Sequence, residues 1–304
     1  MRRLLALALL AISLTACTTP ADDRPLIVVT TNILGDVVEQ VVGDEAEVMT
    51  LMRPDSDPHS FEISAQEAAR ILSADLLVSN GLGLEEGLQQ HLDAAAEAGV
   101  SLLEAGSVIE VLEYAESGMP DPHFWTDPGR MVEVVEAVTR SVVEHVPGVD
   151  ATVIERNAAG YTDELVGLEA SMTAAFDEIT PDLRQLVTNH HVFGYLADRF
   201  GFTIVGAVIP GGSTLAAPSA SDLRDLVGAI NDTGVTTIFA ESSQPDRLVQ
   251  VLAQEADVDV TVTELYTESL SAPGQPADSY LTMMRTNTER ITTGLAPYRR
   301  ATPQ

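Results

Sequence analysis

The tripeptide Asp-Pro-His occurs twice, and its histidines are the first candidates for chemistry. One copy, Asp57–His59, lies in the segment RPDSDPHSFE, and the other, Asp121–His123, lies in MPDPHFWTDPGRM. The chain has only six histidines, so two of them share one sequence context. Proline restricts the residue before it to extended conformations, which would stiffen both loops. Imidazole nitrogens held on stiff loops are good ligands for a divalent metal ion.

The second half of the chain supplies further candidates. His190 and His191 end the apolar segment RQLVTN and begin a predicted helix, and Glu268 follows the apolar segment VTVTELY. In open parallel α/β sheets, ligands bind beyond the carboxyl ends of the strands. Three histidines and one carboxylate would fill a four-coordinate zinc shell. The candidates are far apart in sequence and form no short-spaced finger motif, so spacing alone supports this site only weakly.

The segments around these residues alternate between short apolar strands and amphipathic helices. PLIVVTTNI, AEVMTLM, DLLVSNG and VSLLEAG are predicted strands of the first half, and LEEGLQQHLDAAAEAG is one of its predicted helices. The alternation restarts at RQLVTNH and ends in the helix DSYLTMMRTNTERITTGL. This pattern predicts an α/β fold of two lobes, each with a mostly parallel sheet flanked by helices. The candidate ligands fall in both lobes, as a metal site in the cleft between the lobes requires.

One long helical stretch separates the two alternating regions. It runs from about Ala151 to Glu178, and its apolar residues recur with a period close to 3.6. Its length suits a rigid helix that joins two lobes. We therefore predict an N-terminal lobe at residues 25–148, a linking helix at 149–180 and a C-terminal lobe at 181–304.

The N-terminus predicts export and lipid attachment. MRRLLALALLAISLTAC has two arginines, an apolar run too short to span a membrane comfortably, and small residues before Cys17. This order resembles a bacterial lipobox, which predicts a signal peptide at 1–16, lipidation of Cys17 and a tether at 17–24. An ordinary secretory signal is the alternative. Lipidation would anchor the protein to the outer face of the membrane or in the periplasm.

The composition excludes several classes of partner. The chain has 304 residues and a formal net charge of −30. Nucleic acids and anionic lipid surfaces require clustered positive charge, so neither is an expected partner. Cys17 is the only cysteine, which rules out an intramolecular disulfide or a cluster of thiolate ligands.

A family resemblance adds what spacing cannot supply. The ordered segments LMRPDSDPHSFE, DPHFWTDP, NHHVFGYLADRFG, APSASDLRDLVGAI, TTIFAES, LYTESL and YLTMMRTNTERI resemble the metal-binding lipoproteins of bacterial ABC importers for zinc and manganese. These are the cluster A-I solute-binding proteins of the ZnuA, TroA and PsaA type. The resemblance covers nearly all of the mature chain. It implies two α/β lobes joined by one rigid helix, with the metal buried between them.

The resemblance also implies a set of metal ligands. His59 matches the histidine of the family's first loop, His123 matches that of its DPH-aromatic loop, and His190 matches the third ligand of zinc-type members. Glu268 stands where the family usually has aspartate. Glu241 stands where the family commonly has glutamate, as a supporting carboxylate or a substitute ligand.

Three more residues are candidates for supporting roles. His191 stands at a position that is usually aspartate in the family, which leaves open which of the two adjacent imidazoles binds the metal. Asp121 and Asp127 could orient histidine ring nitrogens or cap their own loops.

The implied function is metal capture, not catalysis. The resemblance implies a monomer that binds Zn²⁺ outside the membrane and delivers it to an ABC permease with its ATPase. His190 favours zinc, because manganese-type members usually have glutamate there; Mn²⁺ is the alternative. An exported zinc hydrolase and an adhesion or metal-buffering lipoprotein are further alternatives. We expect the affinity to fall below about pH 6.5, where histidines become protonated.

Overall fold

The structure is a computed structural model that describes residues 24–115, 117–209 and 211–295. The predicted signal peptide, Cys17 and the last residues of the predicted C-terminal lobe lie outside the described residues. Within the described part, none of the helices has the length and apolar character needed to cross a membrane.

The first half of the chain forms one parallel sheet with helices around it. Its elements in chain order are β1 (Leu26–Val29), α1 (Asn32–Val42), β2 (Glu47–Thr50), α2 (Ala65–Ile71), β3 (Leu76–Ser79), α3 (Gln89–Ala98), β4 (Ser101–Glu104) and α4 (Pro128–His145). All neighbouring strands are parallel, in the order β2-β1-β3-β4. The central strands β1 and β3 are buried along their whole length, as expected for apolar strands covered on both faces.

The second half repeats this arrangement after a long helix. Its elements are α5 (Ala151–Phe176), β5 (Gln185–Thr188), α6 (Gly194–Phe200), β6 (Thr203–Ala207), α7 (Ala220–Thr233), β7 (Thr237–Glu241), α8 (Arg247–Glu255), β8 (Thr261–Leu265) and α9 (Tyr280–Leu295). Its parallel strands have the order β6-β5-β7-β8, the same relative order as in the first sheet. The predicted fold class, two α/β lobes joined by one long helix, is confirmed.

Helix α5 touches both lobes. Near its start, the Asn157 side chain donates a hydrogen bond to the backbone oxygen of Val41 in α1, at 3.2 Å. At its end, the ring of Phe176 packs edge-on against Phe200 and Phe202 in the second lobe, with centroids 5.1 and 4.9 Å apart. The buried residues of α5 recur every three or four positions, so one stripe of the helix faces the core.

The apolar core is continuous between the lobes. One buried cluster includes Val29 and Ile33 of the first lobe, Leu165 of α5, and Phe239 and Leu265 of the second lobe. Each sheet also has one smaller apolar cluster on the face opposite the shared cluster. In the first lobe it lies under α2 and α3, and in the second lobe it lies under α7 and α8. The lobes are therefore packed against each other as well as joined by α5.

The sequence pattern predicts helix from residue 84 onward, but α3 begins only at Gln89. Glu85 explains the difference, because its side chain points inward. Its carboxylate accepts hydrogen bonds from the Thr30 hydroxyl at 2.6 Å and from the backbone N–H of Asn80 at 2.7 Å. These bonds hold the segment before α3 in turns against the end of β3.

Candidate metal centre

The four predicted ligands all lie in segments that follow strands. His59 follows β2 and His123 lies after β4, directly before the short 3-10 helix Phe124–Thr126. His190 follows β5, and Glu268 follows β8. All four are therefore beyond the carboxyl ends of their sheets, where open parallel sheets bind ligands.

The structure brings these four side chains together around one carboxylate oxygen. Glu268 Oε1 lies 2.9 Å from Nε2 of His59 and 3.1 Å from Nε2 of both His123 and His190. One potential ligand atom from each residue lies within 4.8 Å of all the others. We call these four residues the donor cluster. Each of them is at most 1% exposed.

The donor cluster fits a divalent cation. The second carboxylate oxygen, Glu268 Oε2, is buried and has no hydrogen-bond partner among the described residues. A buried carboxylate oxygen without a partner is costly, and a bound cation would remove that cost. Metal–ligand bonds of about 2.1 Å imply ligand–ligand distances of about 3.4 Å in a tetrahedron. The distances from the three Nε2 atoms to Glu268 Oε1, 2.9 to 3.1 Å, are somewhat shorter than this, so this oxygen and the three nitrogens would have to separate to surround an ion.

A carboxylate lies behind each of the three imidazole rings. His123 Nδ1 donates to Asp121 Oδ1 at 2.7 Å. His190 Nδ1 lies 3.1 Å from Glu241 Oε2, although the angles there are not those of a hydrogen bond. His59 Nδ1 lies 3.9 Å from Glu86 Oε1. The hydrogen bond to Asp121 fixes the orientation of the His123 ring and makes its metal-facing nitrogen more basic.

Neighbouring charges shift the pKa values of three members of the donor cluster, His123, His190 and Glu268. Burial lowers the pKa of His123 and of His190, but the charges and hydrogen bonds of their carboxylate neighbours outweigh burial and raise both pKa values above the ordinary value. Burial raises the pKa of Glu268, but His190 and the bonds to all three imidazoles hold that pKa well below its usual range. Burial and the charge of Glu268 raise the pKa of Glu241. Without a metal, the carboxylate of Glu268 therefore lies beside two readily protonated imidazoles, those of His123 and His190.

His191 is outside the donor cluster. Its ring packs edge-on against Tyr114, with centroids 6.2 Å apart, whereas His190 is fully buried within the cluster. The Tyr114 hydroxyl donates to Asp121 Oδ1 and lies 3.0 Å both from that oxygen and from His123 Nδ1. Tyr114 therefore supports the same ring as Asp121.

Asp121 and Asp127 have different roles. Asp121 orients the His123 ring, as described above. Asp127 caps α4 by accepting from the backbone N–H of Gly129 at 2.8 Å, and it also accepts from Arg199 Nε at 2.9 Å. Asp127 therefore fits the capping alternative, and among the described residues it has no hydrogen bond or ion pair with a histidine ring.

Glu86 and Tyr114 could not be identified as site residues from sequence. Glu86 lies in a segment whose pattern predicts a solvated helix, and Tyr114 lies in a loop without a recognisable motif. Glu241, which the family resemblance does single out, lies behind His190. Its other partners are the hydroxyl of Ser243 at 2.7 Å and the side-chain amide of Asn189 at 3.4 Å.

The loops that follow the strands of two parallel sheets bring three histidines and one glutamate together in a buried cluster. This arrangement defines a two-lobed binding protein for a divalent metal. Residues 27–294 match the family model described as zinc-uptake complex component A, periplasmic, and the chain belongs to this family. It is a metal-binding substrate-binding protein of an ABC importer, a class of binding proteins rather than enzymes.

Similar proteins are named for different metals. The manganese-binding lipoprotein MntA of Halalkalibacterium halodurans is 27% identical over 279 residues, which cover 91% of each chain. The iron-binding protein YfeA of Yersinia pestis is 25% identical and covers 88% of this chain and 85% of its own. The solved structure of the periplasmic zinc-binding protein TroA from Treponema pallidum superposes with a TM-score of 0.83 at 27% identity, covering 90% of this chain and all of the other.

Proposed function

We propose that the protein captures Zn²⁺ outside the membrane and delivers it to an ABC permease that is driven by a cytoplasmic ATPase. The observation that carries this proposal is the convergence of three imidazole nitrogens on one carboxylate oxygen in a fully buried site. His59, His123, His190 and Glu268 are the proposed ligands.

The donor set supports zinc over manganese. Imidazole suits zinc, whereas manganese prefers carboxylate, carbonyl and water oxygens. Three nitrogen donors and one oxygen donor match a tetrahedral zinc shell. Manganese remains the alternative, because MntA, a relative over nearly the whole chain, is named for that metal. A manganese site would need more oxygen ligands, and Glu241 is the nearest additional carboxylate to His190.

Capture fits the site better than hydrolysis. A catalytic zinc keeps an open coordination position for water, but the four donors would fill a tetrahedral shell. An exported zinc hydrolase would also need a base near such a water. The donors are buried, which suits retention of an ion rather than access of a substrate.

We further propose the organisation in which this site works. Residues 25–148 and 181–304 form the two lobes, and residues 149–180 form the link between them. A lipid on Cys17, after removal of residues 1–16, anchors the protein outside the membrane as a monomer. The lipobox-like segment supports this anchor, and so does the relative MntA, which is named a lipoprotein.

Competition between zinc and manganese tests the proposal. Zn²⁺ and Mn²⁺ affinities are measured by chelator competition for the wild type and for His190→Ala and Glu268→Ala. We expect one site, tighter zinc than manganese binding, and strong loss of zinc binding in both variants. His145→Ala is the control, because His145 is exposed in the last turn of α4. Wild-type zinc affinity in His190→Ala would show that the proposed site is wrong, and tighter manganese binding would reverse the metal assignment.

A further inference from the structure

A metal bound by the donor cluster could not leave without a movement of the protein. The four donors are at most 1% exposed, so protein atoms separate the site from solvent on all sides. Because an importer must release its cargo, some of the contacts between the lobes must break during delivery. The hydrogen bonds that cross between the lobes near the donors are therefore the place to look for the movable part.

Several of these crossing bonds are buried around the His123 loop. Trp125 Nε1 donates to the backbone oxygen of Thr267 at 2.8 Å, and the Tyr280 hydroxyl donates to the backbone oxygen of Trp125 at 2.7 Å. The Tyr195 hydroxyl donates to the backbone oxygen of Asp121 at 2.8 Å. These bonds are shielded from water, so they fix the His123 loop to the second lobe.

The hydrogen bonds that join Asp57, in the His59 loop, to the second lobe are different because they are partly exposed. Asp57 Oδ2 accepts from the Thr214 hydroxyl at 2.7 Å and from Gln244 Nε2 at 2.8 Å. Thr214 follows β6 and Gln244 follows β7, so both donors belong to the second lobe. All three residues are only partly buried. Water can therefore replace these bonds at a small cost when the lobes separate here.

A third crossing bond reinforces this exposed contact. Ser213 Oγ donates to Glu86 Oε1 at 2.7 Å, and Glu86 is the carboxylate that faces the His59 ring. The segment 213–214 thus contacts two acidic residues of the first lobe, both next to His59.

Asp57 is directly connected to the metal-binding histidine. Its other oxygen, Oδ1, accepts from the backbone N–H of His59 at 2.9 Å, so Asp57 and His59 share one tight turn. At the start of this loop, the backbone N–H of Asp55 donates to the backbone oxygen of Leu270 at 3.0 Å. A movement of Asp57 away from Thr214 and Gln244 would therefore carry His59 away from Glu268, while the start of the loop stays attached.

We infer that Asp57 is a positioning residue for metal retention. Its bonds to Thr214 and Gln244 hold His59 closed over the ion, and their rupture is the step that lets the ion leave. The inference rests on the proposed capture of a metal by the donor cluster. It adds that His59 is the first of the four ligands to move and that the contact of Asp57 with Thr214 and Gln244 controls this movement.

The test is the rate of zinc release from the purified full-length protein, measured by stopped flow with excess chelator. The double variant Thr214→Val/Gln244→Leu removes both donors but leaves the Asp57–His59 turn intact. The matched control is Thr173→Val/Gln250→Leu, which makes the same substitutions at side chains that bond only locally, Thr173 within α5 and Gln250 to Asp246 at the start of α8. We expect about tenfold faster zinc release in the first variant, because bonds to a charged acceptor are lost, and an unchanged rate in the control.

Asp57→Asn completes the test as a double-mutant cycle. Asparagine keeps the acceptor for the His59 N–H but weakens the contact with Thr214 and Gln244. Adding Asp57→Asn to Thr214→Val/Gln244→Leu should not accelerate release further, because both changes remove the same contact. Full additivity, or release within twofold of the wild-type rate in the double variant, would overturn the inference.

The failure of the proposed function would look different. If the wild type binds no zinc, the proposed function fails and the inference falls with it. If the wild type binds one zinc ion tightly and the release rates do not change, only the role of Asp57 is wrong. Thr214→Val alone serves where the double variant is poorly folded, with an expected acceleration of a few-fold over wild type.

Discussion

The two Asp-Pro-His loops begin with the same local structure. In both loops, an aspartate Oδ1 accepts from the backbone N–H of the histidine two residues later, at 2.9 Å for Asp57 and His59 and at 2.9 Å for Asp121 and His123. In both loops, the histidine Nε2 faces Glu268 Oε1. The tripeptide thus specifies a turn that presents an imidazole.

The two aspartates then contact different parts of the protein. Asp121 is buried and also accepts from the ring of its own histidine and from the Tyr114 hydroxyl. Asp57 is partly exposed and accepts from Thr214 and Gln244 in the other lobe. The second loop is therefore built to hold a ring rigidly, and the first is built to join two lobes reversibly. Neighbours distant in sequence, rather than the tripeptide, therefore decide what each aspartate does.

Removal of either histidine should have the largest effect. His59→Ala and His123→Ala should each reduce zinc affinity on the order of 100-fold or more, since four ligands share a total binding free energy of about 10–16 kcal/mol in known zinc sites. His123→Ala should destabilise the metal-free protein more than His59→Ala does, by about 2 kcal/mol, because it also leaves the buried Asp121 without its ring partner. Chelator competition and urea unfolding measure the two effects. Equal destabilisation by both variants would contradict the proposed difference between the loops.

The matched aspartate substitutions separate the two loops more sharply. Asp121→Asn should lower equilibrium zinc affinity about 10–100-fold, because the His123 ring loses the carboxylate that orients it. Asp57→Asn should lower affinity by about tenfold or less, because its bonds to Thr214 and Gln244 lie at a partly exposed position where water can replace them. Titration calorimetry with a competing chelator distinguishes the two variants. A larger loss for Asp57→Asn than for Asp121→Asn would reverse the assignment.

The pH dependence of zinc binding should reflect mainly the protonation of His123 and His190. The pKa values of His123 and His190 are raised, so protonation of these rings stabilises the metal-free fold. That stabilisation is fully present below about pH 6.5 and is lost as the pH rises through the folded-state pKa values. Zinc requires the deprotonated rings. As the pH is lowered, zinc affinity should therefore begin to fall while the pH is still above 6.5, the value that an unperturbed histidine pKa suggests.

Zinc affinity measured between pH 5.5 and 9 tests this expectation. Each ring that must lose a proton contributes about a tenfold loss per pH unit below its folded-state pKa. Asp121→Asn should shift the fall to lower pH, because the Asp121 carboxylate is one of the groups that raise the pKa of His123. A fall confined to pH values below 6.5 in the wild type would contradict the expectation.

The smallest expected effect is that of Tyr114→Phe. This variant removes the hydroxyl that lies 3.0 Å from both Asp121 Oδ1 and His123 Nδ1. The carboxylate of Asp121 still orients the ring, so zinc affinity should fall by no more than about fivefold, the value of one net hydrogen bond. Chelator competition measures the zinc affinity of this variant. Tyr161→Phe is the control, because the buried Tyr161 hydroxyl has no hydrogen-bond partner among the described residues. A loss as large as that of Asp121→Asn would show that Tyr114, not Asp121, holds the ring.

Much of the fold could be predicted because its information is local. Apolar strands such as LIVV and periodic helices such as α5 carry their structure in neighbouring residues, and the two α/β lobes follow from their alternation. The start of α3 could not be predicted, because it depends on the contact between Glu85 and Thr30, which only the folded lobe creates.

The donor cluster was predictable only through the family resemblance. Residue types suggested imidazole and carboxylate ligands, but they did not decide between His190 and His191. The decision depends on burial: His190 points into the cleft, whereas His191 packs on Tyr114. The contacts of Asp57 with Thr214 and Gln244 were beyond sequence reasoning, since they join residues far apart in the chain through the packing of whole lobes.

The most direct test of the central claim is anomalous diffraction at the zinc absorption edge from crystals of the zinc-loaded protein. We expect one strong peak within bonding distance of Nε2 of His59, His123 and His190 and of a Glu268 carboxylate oxygen. A zinc peak elsewhere, or a peak at which one or more of these three histidines is not a ligand, would contradict the proposed metal site.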